Sequence, residues 1–137
     1  MILTQNWCAK KGVPFSQPVM RHLRDFDDQY PDKKTYCIFI APRLHQDTLE
    51  TFWTAIKYGY RGQNQFIVPL TVTQMAELLE ILVDFRASGI ALSHNKLSEL
   101  WDSIINITDE VEDSAQWTGG IPSKITSWRE VVVDTNQ

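Results

Sequence analysis

Seven lysines and arginines and one histidine in the first part of the chain carry the chemistry most open to a ligand: Lys10, Lys11, Arg21, His22, Arg24, Arg43, Lys57 and Arg61. Arg21 and Arg24 lie three apart, on the side of a predicted helix opposite Val19, Leu23, Phe26 and Tyr30. Lys10 and Lys11 precede that helix, and Arg43, Lys57 and Arg61 surround the next one. Cations so grouped can hold DNA phosphates, which position a protein on nucleic acid without reading its sequence. A plainer reading stands beside this one. Arg21 with Asp25 and Arg24 with Asp28 are i,i+4 pairs that can decorate a wet helix face, each worth about 0.3 kcal/mol.

Other motifs carry less. Pro31-Asp32-Lys33-Lys34 superficially joins two pieces of a metal-dependent nuclease motif. That chemistry needs carboxylates from two neighbouring strands converging on one ion, with a lysine facing the attacking water. One tetrapeptide between a helix and a strand cannot supply both, so it reads as a solvated turn. His22, His45 and His94 show no metal-ligand spacing. The phosphate loops GxxxxGK[ST] and GxGxxG and the nucleophile elbow GxSxG are all absent from the chain. Cys8 and Cys37 form no CxxC or Cys/His cluster and read as two free, partly buried thiols. Among the aromatics, Phe52 and Trp53 fall on an apolar stripe, which leaves Tyr58 as the better surface candidate for stacking on a base.

The elements that must position these groups follow from periodicity. Residues 1–5 are a short candidate strand, and Lys10 to Pro14 a turn. Ser16 can cap a helix with Pro18 in its first turn and Val19, Leu23, Phe26 and Tyr30 on one face. Tyr36 to Ala41 is short, apolar and β-favouring, as a strand buried on both faces should be. A second helix opens at Asp47 with Glu50 as its capping-box partner. Its stripe is Leu49, Phe52, Trp53, Ile56 and Tyr60, and Gly59 and Gly62 mark its end. Phe66 to Leu70 reads as another buried strand. Thr71 and Gln74 form a second capping box, and Met75, Leu78, Leu79, Leu82 and Phe85 follow as the apolar stripe of a helix closed by Gly89. Ser93 caps a fourth helix with Leu97, Leu100, Trp101 and Ile104 inside. From Thr108 onward short acidic and Trp-containing segments read as helical.

The expected fold is therefore α/β: a parallel or mixed three-stranded core, β-α-β-α-β, with right-handed crossovers and C-terminal helices. No linker or repeat divides residues 1–137, so one domain is expected, with an α/β core over 1–90 and a helical extension over 91–137. The chain is 43% apolar and 22% charged. Such a balance belongs to a globular protein. Neither a signal-peptide pattern nor a membrane-length apolar run occurs, and cytoplasmic residence is expected. The net charge of −4 hides an asymmetry. Residues 1–61 hold nine lysines and arginines against six carboxylates, and residues 62–137 hold four against eleven. Residues 105–137 have three open roles, DNA recognition, dimerisation or capping of the sheet, and their acidity makes direct DNA contact the least expected of the three.

Four segments carry a resemblance. They are Pro18-Val19-Met20-Arg21-His22-Leu23, Cys37-Ile38-Phe39-Ile40-Ala41-Pro42, Phe52-Trp53, and Val68-Pro69-Leu70-Thr71-Val72-Thr73-Gln74. In this order and spacing, over roughly residues 1–90, the chain resembles the C-terminal part of the nuclease domain of AlwI-type type IIS restriction endonucleases. The resemblance implies a PD-(D/E)xK core, Mg²⁺-dependent cleavage of DNA outside an asymmetric site, and a second nuclease or recognition subunit, or self-association, as partner. It also implies catalytic carboxylates on two strands just before the helix that carries Arg21, His22 and Leu23. Ile2-Leu3-Thr4-Gln5 stands at the second of those strands, and the first carboxylate of the chain is Asp25. A C-terminal portion or remnant, without cleavage activity by itself and with one exposed sheet edge, is the expectation. A non-catalytic DNA-binding or protein-interaction module on the same scaffold is the alternative.

Overall fold

The computed structural model describes residues 2–4 and 16–137. Two apolar runs, Cys-Ile-Phe-Ile-Ala and Ile-Val-Pro-Leu-Thr, make the heart of the molecule: β2 (Cys37–Ala41) and β3 (Ile67–Thr71) pair in parallel, from Cys37 opposite Ile67 to Ala41 opposite Thr71. The backbone of β1 (Ile2–Thr4) runs parallel along the other side of β2, Ile2 opposite Ile38 and Thr4 opposite Ile40. Parallel neighbours need long crossovers. They are α1 (Ser16–Gln29), between β1 and β2, and α2 (Gln46–Lys57), between β2 and β3. Four helices follow: α3 (Val72–Ala87), α4 (His94–Glu110), α5 (Ser114–Gly119) and α6 (Ile121–Thr135). The architecture is mixed α/β.

Pro69 sits inside β3, where a missing N–H is tolerated because β3 is the outer strand of this sheet. The side chains of that outer strand are covered: Ile67, Val68, Pro69 and Leu70 are all buried, with α4 and α3 packed on β3. Phe39 and Phe52 meet edge to face at 5.0 Å between sheet and α2. Trp117 of α5 is fully buried, and its indole N–H donates to the Ile104 carbonyl at 3.0 Å. Trp128 of α6 packs on Phe85 and donates to the Lys96 carbonyl at 2.8 Å. The C-terminal segments are thus helical and integral to the core rather than appended to it.

Several local expectations shift. The predicted capping box at Thr71 and Gln74 is present in both directions, at 3.1 and 2.9 Å. Ser93 caps α4 by accepting from the Lys96 N–H. By contrast α2 begins at Gln46, with His45 at the cap position and no side-chain cap. Asp47 therefore lies within the first turn, where its charge suits the helix dipole. On α3 only Leu78 and Phe85 of the apolar stripe are buried, and Leu79 is 50% exposed. The helix meets its neighbours along a narrow line, and Leu79 sits about 100° around the axis from Leu78. Phe26 and Tyr30, expected inside, are 38% and 39% exposed.

Candidate nucleic-acid interface

Leu23 and Val19 anchor α1 in the core, which turns Arg21 and His22 outward. Arg24, on the same side, is partly covered. Its guanidinium donates to Asp25 from Nη2 at 2.7 Å and from Nε at 3.3 Å. The pairing holds the Asp25 carboxyl below its ordinary range and raises Arg24, chiefly through that hydrogen bond. Arg24 therefore pairs with its immediate neighbour and not with Asp28 four residues on. Asp28 instead accepts from Gln63 Nε2 at 3.2 Å. Arg21 forms no ion pair with a described residue.

The Gln63 contact brings the loop between α2 and β3 against α1. A small antiparallel bridge shapes that loop: Tyr60 N–H donates to Gln63 O at 2.7 Å, and Gln63 N–H returns to Tyr60 O at 3.3 Å. Gly59 has φ of 85°, and a Cβ there would stand 3.0 Å from the Gln63 carbonyl oxygen. Glycine is required at such a place. Arg61 holds φ of 49°. That left-handed conformation is costly for a residue with a side chain. The Arg61 guanidinium carbon lies 5.5 Å from the Tyr60 ring centre.

Arg21, His22 and Arg24 lie along α1, and Arg61 lies on the loop that Gln63 ties to Asp28 of the same helix. Lys57 ends α2 nearby, but its ammonium is engaged over the Trp53 ring at 4.8 Å. Arg43 is exposed in the turn before α2. It stands at the opposite end of a helix about 18 Å long. Lys10, Lys11 and Cys8, and with them the expected turn from Lys10 to Pro14, lie outside the described residues. Tyr58 is 77% exposed beside the loop, as its position outside the α2 stripe suggested. Cys37 is free and buried, and burial pushes its thiol up to about 12.

Two carboxylates of α1 already have partners within the chain. Asp25 is occupied by Arg24 and Asp28 by Gln63. Among the described residues no three His, Cys, Asp or Glu side chains gather as metal ligands.

Sequence reasoning passed over one neighbourhood. Lys34, read as part of a solvated turn, donates to Asp102 of α4 at 2.6 Å, and the Tyr36 hydroxyl donates to the same carboxylate oxygen at 2.7 Å. No local pattern links residues 34 and 102, so only the fold could reveal the contact. Pro31 to Lys33 do form an exposed turn, closed by Lys33 N–H to Tyr30 O at 3.1 Å.

An α/β scaffold with parallel strands is one on which many activities are built. Residues 13–78 match the model of the family described as AlwI restriction endonuclease. The match spans α1, β2, α2, β3 and the first turns of α3, and it contains all four segments that carry the resemblance. It relates this part of the chain to restriction endonucleases, whose substrate is DNA. No curated protein matches the chain. No helix of the described residues is long and apolar enough to cross a membrane.

Proposed function

We propose that this chain is part of an AlwI-type restriction endonuclease nuclease domain with a PD-(D/E)xK core, and that α1 and the loop beside it lie against DNA phosphates. The reading is supported by the family match over residues 13–78, which contains Arg21, His22, Arg24 and Arg61, and by the exposure of Arg21, His22 and Arg61. Lys10, Lys11, Arg43 and Lys57 complete the proposed set of DNA contacts. Converging carboxylates for Mg²⁺ are not supplied by the described residues. The chain by itself is therefore expected not to nick a supercoiled plasmid with Mg²⁺ or Mn²⁺. The non-catalytic DNA-binding module stays a second reading on the same observation.

The decisive measurement is duplex affinity against salt. Removal of one phosphate interaction lowers the slope of log K on log[salt] by about 0.9. Arg21→Ala should reduce it by close to that amount. Arg24→Ala should reduce it less, because its guanidinium already has a carboxylate partner 2.7 Å away. A slope unchanged in the double variant removes α1 from the interface, and metal-dependent nicking by the pure chain overturns the account of its carboxylates.

A further inference from the structure

A second surface, separate from the α1 phosphate face, has the chemistry of a ligand site. Between the last turns of α1, the entry to β2 and the first turns of α4 lies an open cleft of about 500 Å³. That volume suits a small ligand. Phe26, Tyr30, Lys33, His94, Leu97 and Trp101 are among its lining residues, and no carboxylate is.

Three observations converge there. First, Phe26 and Tyr30 are both more than a third exposed, and their rings meet at 4.9 Å with a 40° tilt. Two large rings that meet at one cleft leave part of their faces exposed to it among the described residues. Second, the two lysines have different partners. Lys34 is held by Asp102, whose carboxylate also takes the Tyr36 hydroxyl. Lys33 is exposed, with its ammonium 5.8 Å from the Tyr30 ring centre and no carboxylate within salt-bridge distance among the described residues. Third, α4 opens at His94 with no acidic residue in its first turn. Nothing at that helix start opposes an anion. Apolar Ile38 and Leu97 line the same cleft. An anion alone would not use the rings, and an apolar ligand alone would not use Lys33.

We propose that this cleft binds a single nucleotide, with its base against the Tyr30, Phe26 and Trp101 rings and its phosphate at Lys33 and His94. A base inside a duplex is stacked on both sides and cannot present a face to these rings, so the ligand is unpaired. Two sources share the chemistry: a free mononucleotide and a nucleotide within a single strand. The proposal does not depend on the phosphate face of α1 or on the restriction-endonuclease reading.

The test is an amide-resolved NMR titration of the full chain with dTMP, thymidine, inorganic phosphate and an oligothymidylate. With dTMP, resonances of residues 33–36 and 94–101 should shift. Thymidine and phosphate should each bind at least about fivefold more weakly, since each lacks one of the two recognised parts. Lys33→Ala and Tyr30→Ala should each weaken dTMP by at least about fivefold, the low end of what one base–aromatic stack is worth. Lys33 is exposed and in no ion pair among the described residues, so Lys33→Ala should keep the wild-type thermal midpoint. An oligothymidylate that binds tighter than dTMP identifies the single strand as the source, and equal affinity identifies the free nucleotide. The proposal is overturned by shifts confined to residues 21–24, by phosphate or thymidine matching dTMP, or by no perturbation at about 10 mM dTMP, well above millimolar affinity.

Discussion

Gln65 offers a sharp test of how α1 is held in place. It enters β3 with its side chain buried to 1% exposure. Its backbone N–H donates to Ala55 O of α2 at 3.2 Å, and Nε2 donates to Met20 O of α1 at 2.7 Å. Its Oε1 has no partner among the described residues. One residue thus ties both crossover helices together at the entry to β3 while carrying an orphan acceptor. Substitution Gln65→Met keeps the length and roughly the volume of the side chain. It forfeits one hydrogen bond, worth about 0.5–1.5 kcal/mol net, and removes an unsatisfied buried oxygen costing about 1–3 kcal/mol. The Met20 carbonyl keeps its own intrahelical bond from four residues on. The balance is a stabilisation of about 1 kcal/mol, a rise in thermal midpoint of roughly 3–5 °C for a domain of this size. Gln65→Ala, which also opens a cavity, should lose about 2 kcal/mol or more. Urea denaturation of the three proteins measures both differences. A Gln65→Met variant less stable than wild type by more than about 1 kcal/mol would refute the reasoning, because Oε1 would then be satisfied in solution.

Three further outcomes are expected. The Trp117 indole is the donor to the Ile104 carbonyl. Trp117→Phe should cost about 1.5–3 kcal/mol, from reduced ring volume and an acceptor left bare, and Trp117→Ala about 3–5 kcal/mol. Chemical denaturation reads both, and a loss below about 1 kcal/mol for the alanine variant would show that α5 is peripheral. The Thr71 hydroxyl oxygen accepts the Gln74 N–H. Thr71→Ala should cost about 1 kcal/mol by removing that acceptor, read in the same way. For Cys37 the folded thiol is raised from 9.0 to about 12. Its contribution to stability is therefore complete below pH 9 and is lost as pH rises towards 12. The stability gap between wild type and Cys37→Ala should narrow by up to about 1.4 kcal/mol per pH unit in that window. Parallel pH profiles for the two proteins would contradict it.

What was legible in the sequence was local. Thr71 and Gln74 are three residues apart and make their capping box whatever surrounds them, and Ser93 caps α4 likewise. Cys37 to Ala41 is apolar on both faces. Its burial in a parallel pair follows from composition. The outward placing of Arg21 was equally visible, because helical periodicity alone sends it away from Leu23. Where local signals competed, the reading slipped. Asp47 and Glu50 have capping-box spacing, yet the helix starts one residue earlier, since no side chain is needed to begin it.

Tertiary structure decided the rest, and distance along the chain is the reason. The Phe26 and Tyr30 positions share the apolar period of Val19 and Leu23, but whether a periodic residue is buried depends on what packs opposite it. Past Leu23 the opposing wall opens into the cleft beside α4. Pairing of Lys34 with Asp102 and docking of Gln63 on Asp28 are both set by how helices and strands meet. Periodicity along a chain says which side of an element is apolar. Only packing says which part of that side is covered, and which cations end up as neighbours.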